Sequence, residues 1–219
     1  VNVAGGIIDP TVRPGIPLME KLGQVFVGLC PSALSSIDVE VRGEIAAHDV
    51  TVLKLAALKG IFSRIVSEQV SYVNAPLMAE ARGMEVTLTK DETSNDYRNL
   101  LTLRGVLADG SVVSASATLT GAKQTQKLVG INGYEVEVPL ASHHIVMMYE
   151  DRPGIVAVYG KAFGDASINI AGMQIARDTR GGQALSVLTV DSRVPDELLA
   201  EVAVAISATT MAPIDVIDL

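Results

Sequence analysis

Between residues 143 and 218 the hydrophobic pattern switches period in a fixed order: strand, helix, strand, strand, helix, strand. "HHIVMMYE" (143–150) is an apolar strand, 153–164 has helical spacing, and 168–177 and 183–190 return to strand. Residues 195–206 are helical again, and 211–218 form a last strand. Gly181-Gly182 suits a hairpin turn between the middle strands, and Pro195 is placed to open the second helix where its missing N–H costs nothing. A βαββαβ order of this kind lays two helices on one face of a four-stranded antiparallel sheet, the ferredoxin-like arrangement.

The preceding residues have a different texture. Leu18, Leu22, Val25 and Leu29 recur at helical spacing, whereas Ile37, Val39 and Val41 alternate with Asp38, Glu40 and Arg42 as in a half-buried strand. In 49–70, Val52, Leu55, Ala56, Leu58 and Phe62 line a helical face, with Gly60 as a candidate break. A short helix is expected from Pro76 to a stop at Gly83, then a strand at 85–92. Ala108-Asp109-Gly110 and Asn132-Gly133 each sit between strand-like runs, and both are hairpin turns by composition. The chain is therefore expected to be α+β, a mixed domain with much antiparallel sheet followed by the βαββαβ module.

Composition narrows the partners. A net charge of −8 and a pI near 4.9 provide no broad basic surface for nucleic acid or anionic lipid. The single cysteine, Cys30, excludes an internal disulfide framework and fits a cytosolic setting; without a nearby histidine or cation it reads as a small core residue. Each apolar run is interrupted well before the ~20 residues of a membrane span, so a soluble protein is expected. The opening "VNVAGGIIDP" runs from an apolar fragment into a loop and reads as a piece of something longer.

The chemistry concentrates in "EDRPGIVAVYGKAFGDASINI". Pro153 fixes φ for a first helical turn, and Gly154 has no side chain, so the amides around 154–156 are open to an anion such as a carboxylate. Asp151 can accept from an ammonium group, and Asn169 at the head of the next strand offers both donor and acceptor. These parts suit a zwitterionic amino acid. They also suit a purely structural reading, in which Asp151 stabilises a helix N-terminus by ~0.3–1 kcal/mol and Asn169 caps a strand.

The segment D-R-P-G, an apolar helix, then I-N-I, followed by "GGQALSVLTVD" in βαββαβ order, closely resembles an ACT domain, a regulatory module that binds amino acids. Upstream, "VEVRGEIA", "VLKLAALKGIFS", "VNAPLMAEARG" and "QKLVGINGYEVEV" resemble the C-terminal half of the long-form D-3-phosphoglycerate dehydrogenase family of actinobacterial type. The resemblance covers essentially the whole chain. It implies that residues 1–6 end a catalytic part, 7–140 form an intervening (allosteric substrate-binding) domain, and 141–219 form the ACT domain. It further implies feedback inhibition by L-serine, bound between ACT domains of two subunits, with Tyr149, Asp151 and Gly154 from one and Asn169 from the other. The implied partners are the chain itself, as homodimer or homotetramer, and the parent's catalytic domains.

The nucleotide-binding G-x-G-x-x-G and the catalytic histidine of that family are not in this sequence, whose histidines are His48, His143 and His144. NAD chemistry therefore belongs to the parent enzyme, and this chain alone is expected to be inactive and to need no cofactor. Some relatives bind phosphate or phosphorylated substrate in the intervening domain through clustered cations. Here Lys127 stands near Tyr134, Glu135 and Pro139, and Arg98, Arg104 and Lys123 are the other candidates for an anion patch.

Adjacent His143 and His144 point to opposite faces of a strand and are unsuited to chelate one metal, and Glu150-Asp151 fail as a catalytic pair for the same reason. "KDETSNDYR" (90–98) reads as a solvated loop, and no G-x-S-x-G nucleophile motif occurs. Two further classes stay open: the regulatory portion of an iron–sulfur L-serine dehydratase, which also joins an intervening-like domain to an ACT domain, and a dimerisation module without ligand.

Overall fold

The computed structural model describes residues 8–219, so the expected end of a catalytic part at 1–6 lies outside the described residues. The chain divides into two compact units, one running to Gly133 and including Ile217–Leu219, the other spanning Tyr134–Val216. The fold is α+β, as the alternation of periods requires.

The first unit begins with α1 (Gly15–Gly28), whose Leu18, Leu22 and Val25 are buried as their spacing predicts. β1 (Leu34–Gly43) buries Ile37, Val39 and Val41 on one face, and a 3₁₀ turn (Glu44–Ala47) leads to α2 (Thr51–Phe62). Then follow α3 (Asn74–Ala81), β2 (Glu85–Asp91), β3 (Asn99–Leu107), β4 (Val112–Thr120) and β5 (Thr125–Ile131). Within this unit the sheet order is β2-β1-β3-β4-β5. β1 pairs with β2 in parallel, a pairing that needs a long crossover, and α2 with α3 supplies it; β1 with β3, β3 with β4 and β4 with β5 are antiparallel.

Both hairpin turns stand where their residues predict. Asn132 and Gly133 have φ of 49° and 84°, the left-handed pair of a tight hairpin.

The helix expected over 49–70 is shorter, and Gly60 is no break. It lies inside α2 at the crossing with α1, where a Cβ would fall 2.0 Å from the carbonyl oxygen of Glu20. Gly23 answers it from α1, with a Cβ position 2.6 Å from the Ala57 carbonyl oxygen. The two glycines let the backbones touch, and α2 ends at Phe62. The next helix starts at Asn74 instead of Pro76, which sits in its first turn.

The second unit contains β6 (Tyr134–Pro139), then β7 (His143–Glu150), α4 (Ile155–Asp165), β8 (Ile170–Arg177), β9 (Gln183–Val190), α5 (Asp196–Ile206) and β10 (Thr210–Asp215); β7, β8, β9 and β10 form its sheet. Its sheet order is β10-β7-β9-β8, with antiparallel neighbours throughout. One sheet face and both helices enclose a core that includes Ile145, Met147, Tyr159, Phe163, Leu188 and Val202. Two prolines are shifted from expectation: Pro153 precedes the helix, which is capped by Gly154, and Pro195 is the N-cap of α5 with its carbonyl accepting from Leu199 N–H at 3.1 Å. The last strand stops at Asp215, short of 218.

Candidate functional site

The Asp-Arg-Pro-Gly turn leaves the end of β7 and enters α4. Gly154 adopts φ +94°, ψ −17°, a left-handed conformation that a side chain would strain, and nothing lies within 4 Å of where its Cβ would stand. Its carbonyl accepts from Val158 N–H at 3.2 Å, and no side chain among the described residues caps the helix. The first-turn amides of α4 are thus left to solvent or to an incoming acceptor.

Asp151 is fixed by the β8–β9 hairpin. Its main-chain N–H donates to the Gly182 carbonyl at 2.8 Å, and its Oδ2 accepts from Arg177 Nη1 at 3.0 Å and from the Gly181 N–H at 3.4 Å. Arg177 was not singled out by sequence reasoning. Only the register of β8 against β9, with Arg177 opposite Ala184, brings it to this end of the sheet.

Tyr149 stands beneath the turn, not in it. Its side chain is 2 % exposed and packs with Ile155 and Tyr159, and its hydroxyl bonds Ser186 Oγ inside the core. Burial pushes the neighbouring Tyr159 phenol up to about 12.

Asn169 is elsewhere. It is exposed at the head of β8, its Nδ2 donates to Asp191 Oδ2 at 2.8 Å, and its carbonyl accepts from Asp191 N–H. Arg177, which bonds Asp151, is at the other end of the same strand, roughly 26 Å away at ~3.3 Å per residue. Within one chain the structure brings Asp151 and Gly154 together over Tyr149 and leaves Asn169 apart. β8 itself is the terminal strand of its sheet, with Met173 and Ile175 exposed at 48 % and 39 %.

The candidate anion residues are also dispersed. Arg98 pairs with Glu44 at 2.7 Å, while Arg104, six residues further and about 20 Å along the strand, faces Asp38 and Ser114 in register. Lys127 is opposite Thr118 on β4, and Lys123 lies in the exposed β4–β5 turn.

Of the adjacent histidines, His143 bonds Asp215 at 2.8 Å. His144 is 1 % exposed and accepts at Nε2 from Ala141 N–H, and burial lowers its pKa to about 4. Cys30 is half-buried with Sγ 3.2 Å from the Phe26 carbonyl, and burial raises its thiol to about 12. No helix among the described residues is long and apolar enough to cross a membrane.

An α+β unit is followed by a βαββαβ unit that carries an open helix N-terminus beside a fixed aspartate. Residues 11–132 match the D-3-phosphoglycerate dehydrogenase intervening domain, and residues 143–206 match the ACT domain. The chain belongs to the D-3-phosphoglycerate dehydrogenase intervening domain family and carries an ACT domain.

Among curated proteins it is 38 % identical over 216 residues to a D-3-phosphoglycerate dehydrogenase of Mycobacterium tuberculosis, covering 98 % of this chain and 41 % of that protein. Dehydrogenases of the same name from Synechocystis and Archaeoglobus fulgidus are each 31 % identical over 92 % of this chain, and 37 % and 41 % of their lengths are covered. The chain thus spans about two fifths of the relatives it matches.

Proposed function

We propose that this chain is the regulatory and oligomerising portion of a D-3-phosphoglycerate dehydrogenase, and that it binds L-serine at an interface between two ACT domains. The observation that carries this reading is the placement of Asp151 and Asn169 at opposite ends of terminal strand β8. If two copies associate edge to edge about a two-fold axis, the head of one β8 lies beside the tail of the other. Each Asn169 then reaches the partner's Asp-Arg-Pro-Gly turn, and two equivalent sites form.

In such a site the α4 amides and Gly154 receive the serine carboxylate, Asp151 the ammonium, and Asn169 of the second copy the hydroxyl. Tyr149 supports the turn from below. The exposed Met173 and Ile175 on β8 supply apolar area for association. Oxidation of phosphoglycerate with NAD is assigned to the parent's catalytic domains, working in the cytoplasm. The match of residues 11–132 to the dehydrogenase's intervening domain supports this reading over that of a serine dehydratase.

Titration calorimetry of L-serine into the chain, with mass measured by light scattering, tests the reading. Saturable binding to a dimer or larger, lost in both Asp151→Ala and Asn169→Ala, is expected. A folded dimer with no serine heat and no thermal shift would leave the turn as a helix start only.

A further inference from the structure

Three polar side chains interrupt the apolar helix α1: Glu20, Lys21 and Gln24. Each is engaged far along the chain. Glu20, 6 % exposed, accepts from Lys59 Nζ at 2.9 Å and from the Tyr72 hydroxyl. Lys21 Nζ pairs with Asp218 Oδ1 at 2.8 Å.

Gln24 is 1 % exposed, and both ends of its amide go to one residue. Nε2 donates to the Ile217 carbonyl at 2.9 Å, and Oε1 accepts from the Ile217 N–H at 2.9 Å. A primary amide offers the same donor and acceptor as a peptide group, so Gln24 acts towards Ile217 as a neighbouring strand would. A buried glutamine left without those partners would carry the full desolvation cost of two polar atoms.

What α1 holds is main chain. The Ile217 side chain is 48 % exposed and that of Asp218 92 %. Leu219 borders a cleft of about 460 Å³ shared with Lys59 and Tyr72. β10 ends at Asp215, and Val216 N–H donates to the Ser142 carbonyl at 2.8 Å, the final bond before the chain passes to the first unit. Beyond that point the polar bonds to the segment, among the described residues, are the Gln24 pair and one solvent-facing ion pair, and exposed ion pairs are weak and salt-sensitive.

We propose that residues 217–219 form a releasable strap, read through its main chain by Gln24, whose departure from α1 opens the cleft beside Lys59 and Tyr72. The proposal does not depend on serine binding.

Residue-level hydrogen exchange on the full chain tests it. The Ile217 amide is expected to be protected, yet to exchange about tenfold faster than the paired amides of β10, because the strap opens without unfolding the strand. Raising salt from about 0.05 to about 0.5 M is expected to speed exchange at Ile217 about threefold and leave β10 unchanged. Asp218→Asn, at an exposed site that folding does not need, is expected to have the same effect, and Gln24→Leu to abolish protection at Ile217 while α1 keeps its own. Exchange at Ile217 that tracks β10 under all conditions would make the segment a fixed anchor and overturn the proposal. An unprotected Ile217 amide in the unsubstituted chain would overturn it too, since nothing would then be seated.

Discussion

Arg177 closes on Asp151 at 3.0 Å, so the carboxylate offered by the Asp-Arg-Pro-Gly turn is held in place from the end of β8 before any ligand arrives. The ion pair is partly exposed, with side-chain exposures of 59 % and 25 %, and is worth little to stability by itself. Arg177→Ala is therefore expected to lower the unfolding free energy by under about 1 kcal/mol. Loss of the clamp is expected to weaken serine binding in calorimetry far more than this stability change suggests.

Tyr149 gives the converse case. Its hydroxyl is spent on Ser186 inside the core, so Tyr149→Phe leaves a buried hydroxyl short of a partner and is expected to cost about 1–2 kcal/mol in denaturant unfolding. Serine affinity is expected to change by less than about threefold, since the ring still supports the turn.

The α1–α2 crossing is expected to be intolerant. Gly60→Ala places a methyl against the Glu20 carbonyl, backbone against backbone, and is expected to cost about 3 kcal/mol or more, because no side chain can move aside. Gly164→Ala in α4 is the control: nothing lies within 4 Å of its Cβ position, and a gain of about 0.5–1 kcal/mol is expected. Thermal unfolding of the two variants should move in opposite directions.

Gly60 also marks the limit of what local sequence reveals. Turn residues act on their own neighbours, so Asn132-Gly133 and Asp109-Gly110 were legible as hairpins, and the alternation of Ile37, Val39 and Val41 named the buried face of β1. A glycine needed by a helix forty residues away looks the same as one that ends a helix. Gln24 and Lys21 likewise have meaning only once Ile217 and Asp218 are beside them. At the candidate site Asp151, Gly154 and Asn169 stood out by residue type, whereas Arg177 and the opposite-end placement of Asn169 depend on strand register, which no short motif encodes.

Stability should depend on pH through His144. Burial, reinforced by the charge of His143, holds its folded-state pKa at about 4 against 6.5 in the unfolded chain. Between those values the unfolded chain takes up a proton that the folded chain refuses. Stability is therefore full above about pH 6.5, falls as pH drops towards 4, and stops changing through this group below that; the loss is on the order of 3 kcal/mol. Urea midpoints measured from pH 7.5 to 4 are expected to show this slope, and His144→Gln to flatten it.

The central claim is that one serine site is built from two copies, and mixing Asp151→Ala with Asn169→Ala protein tests it most directly. Each variant alone is expected to give no saturable serine heat. After co-refolding, half of the dimers are mixed and each contains one site with both residues intact, so about a quarter of the wild-type sites should return at wild-type affinity. No recovery in folded mixed dimers, or full binding by either variant alone, would contradict a site shared across the interface.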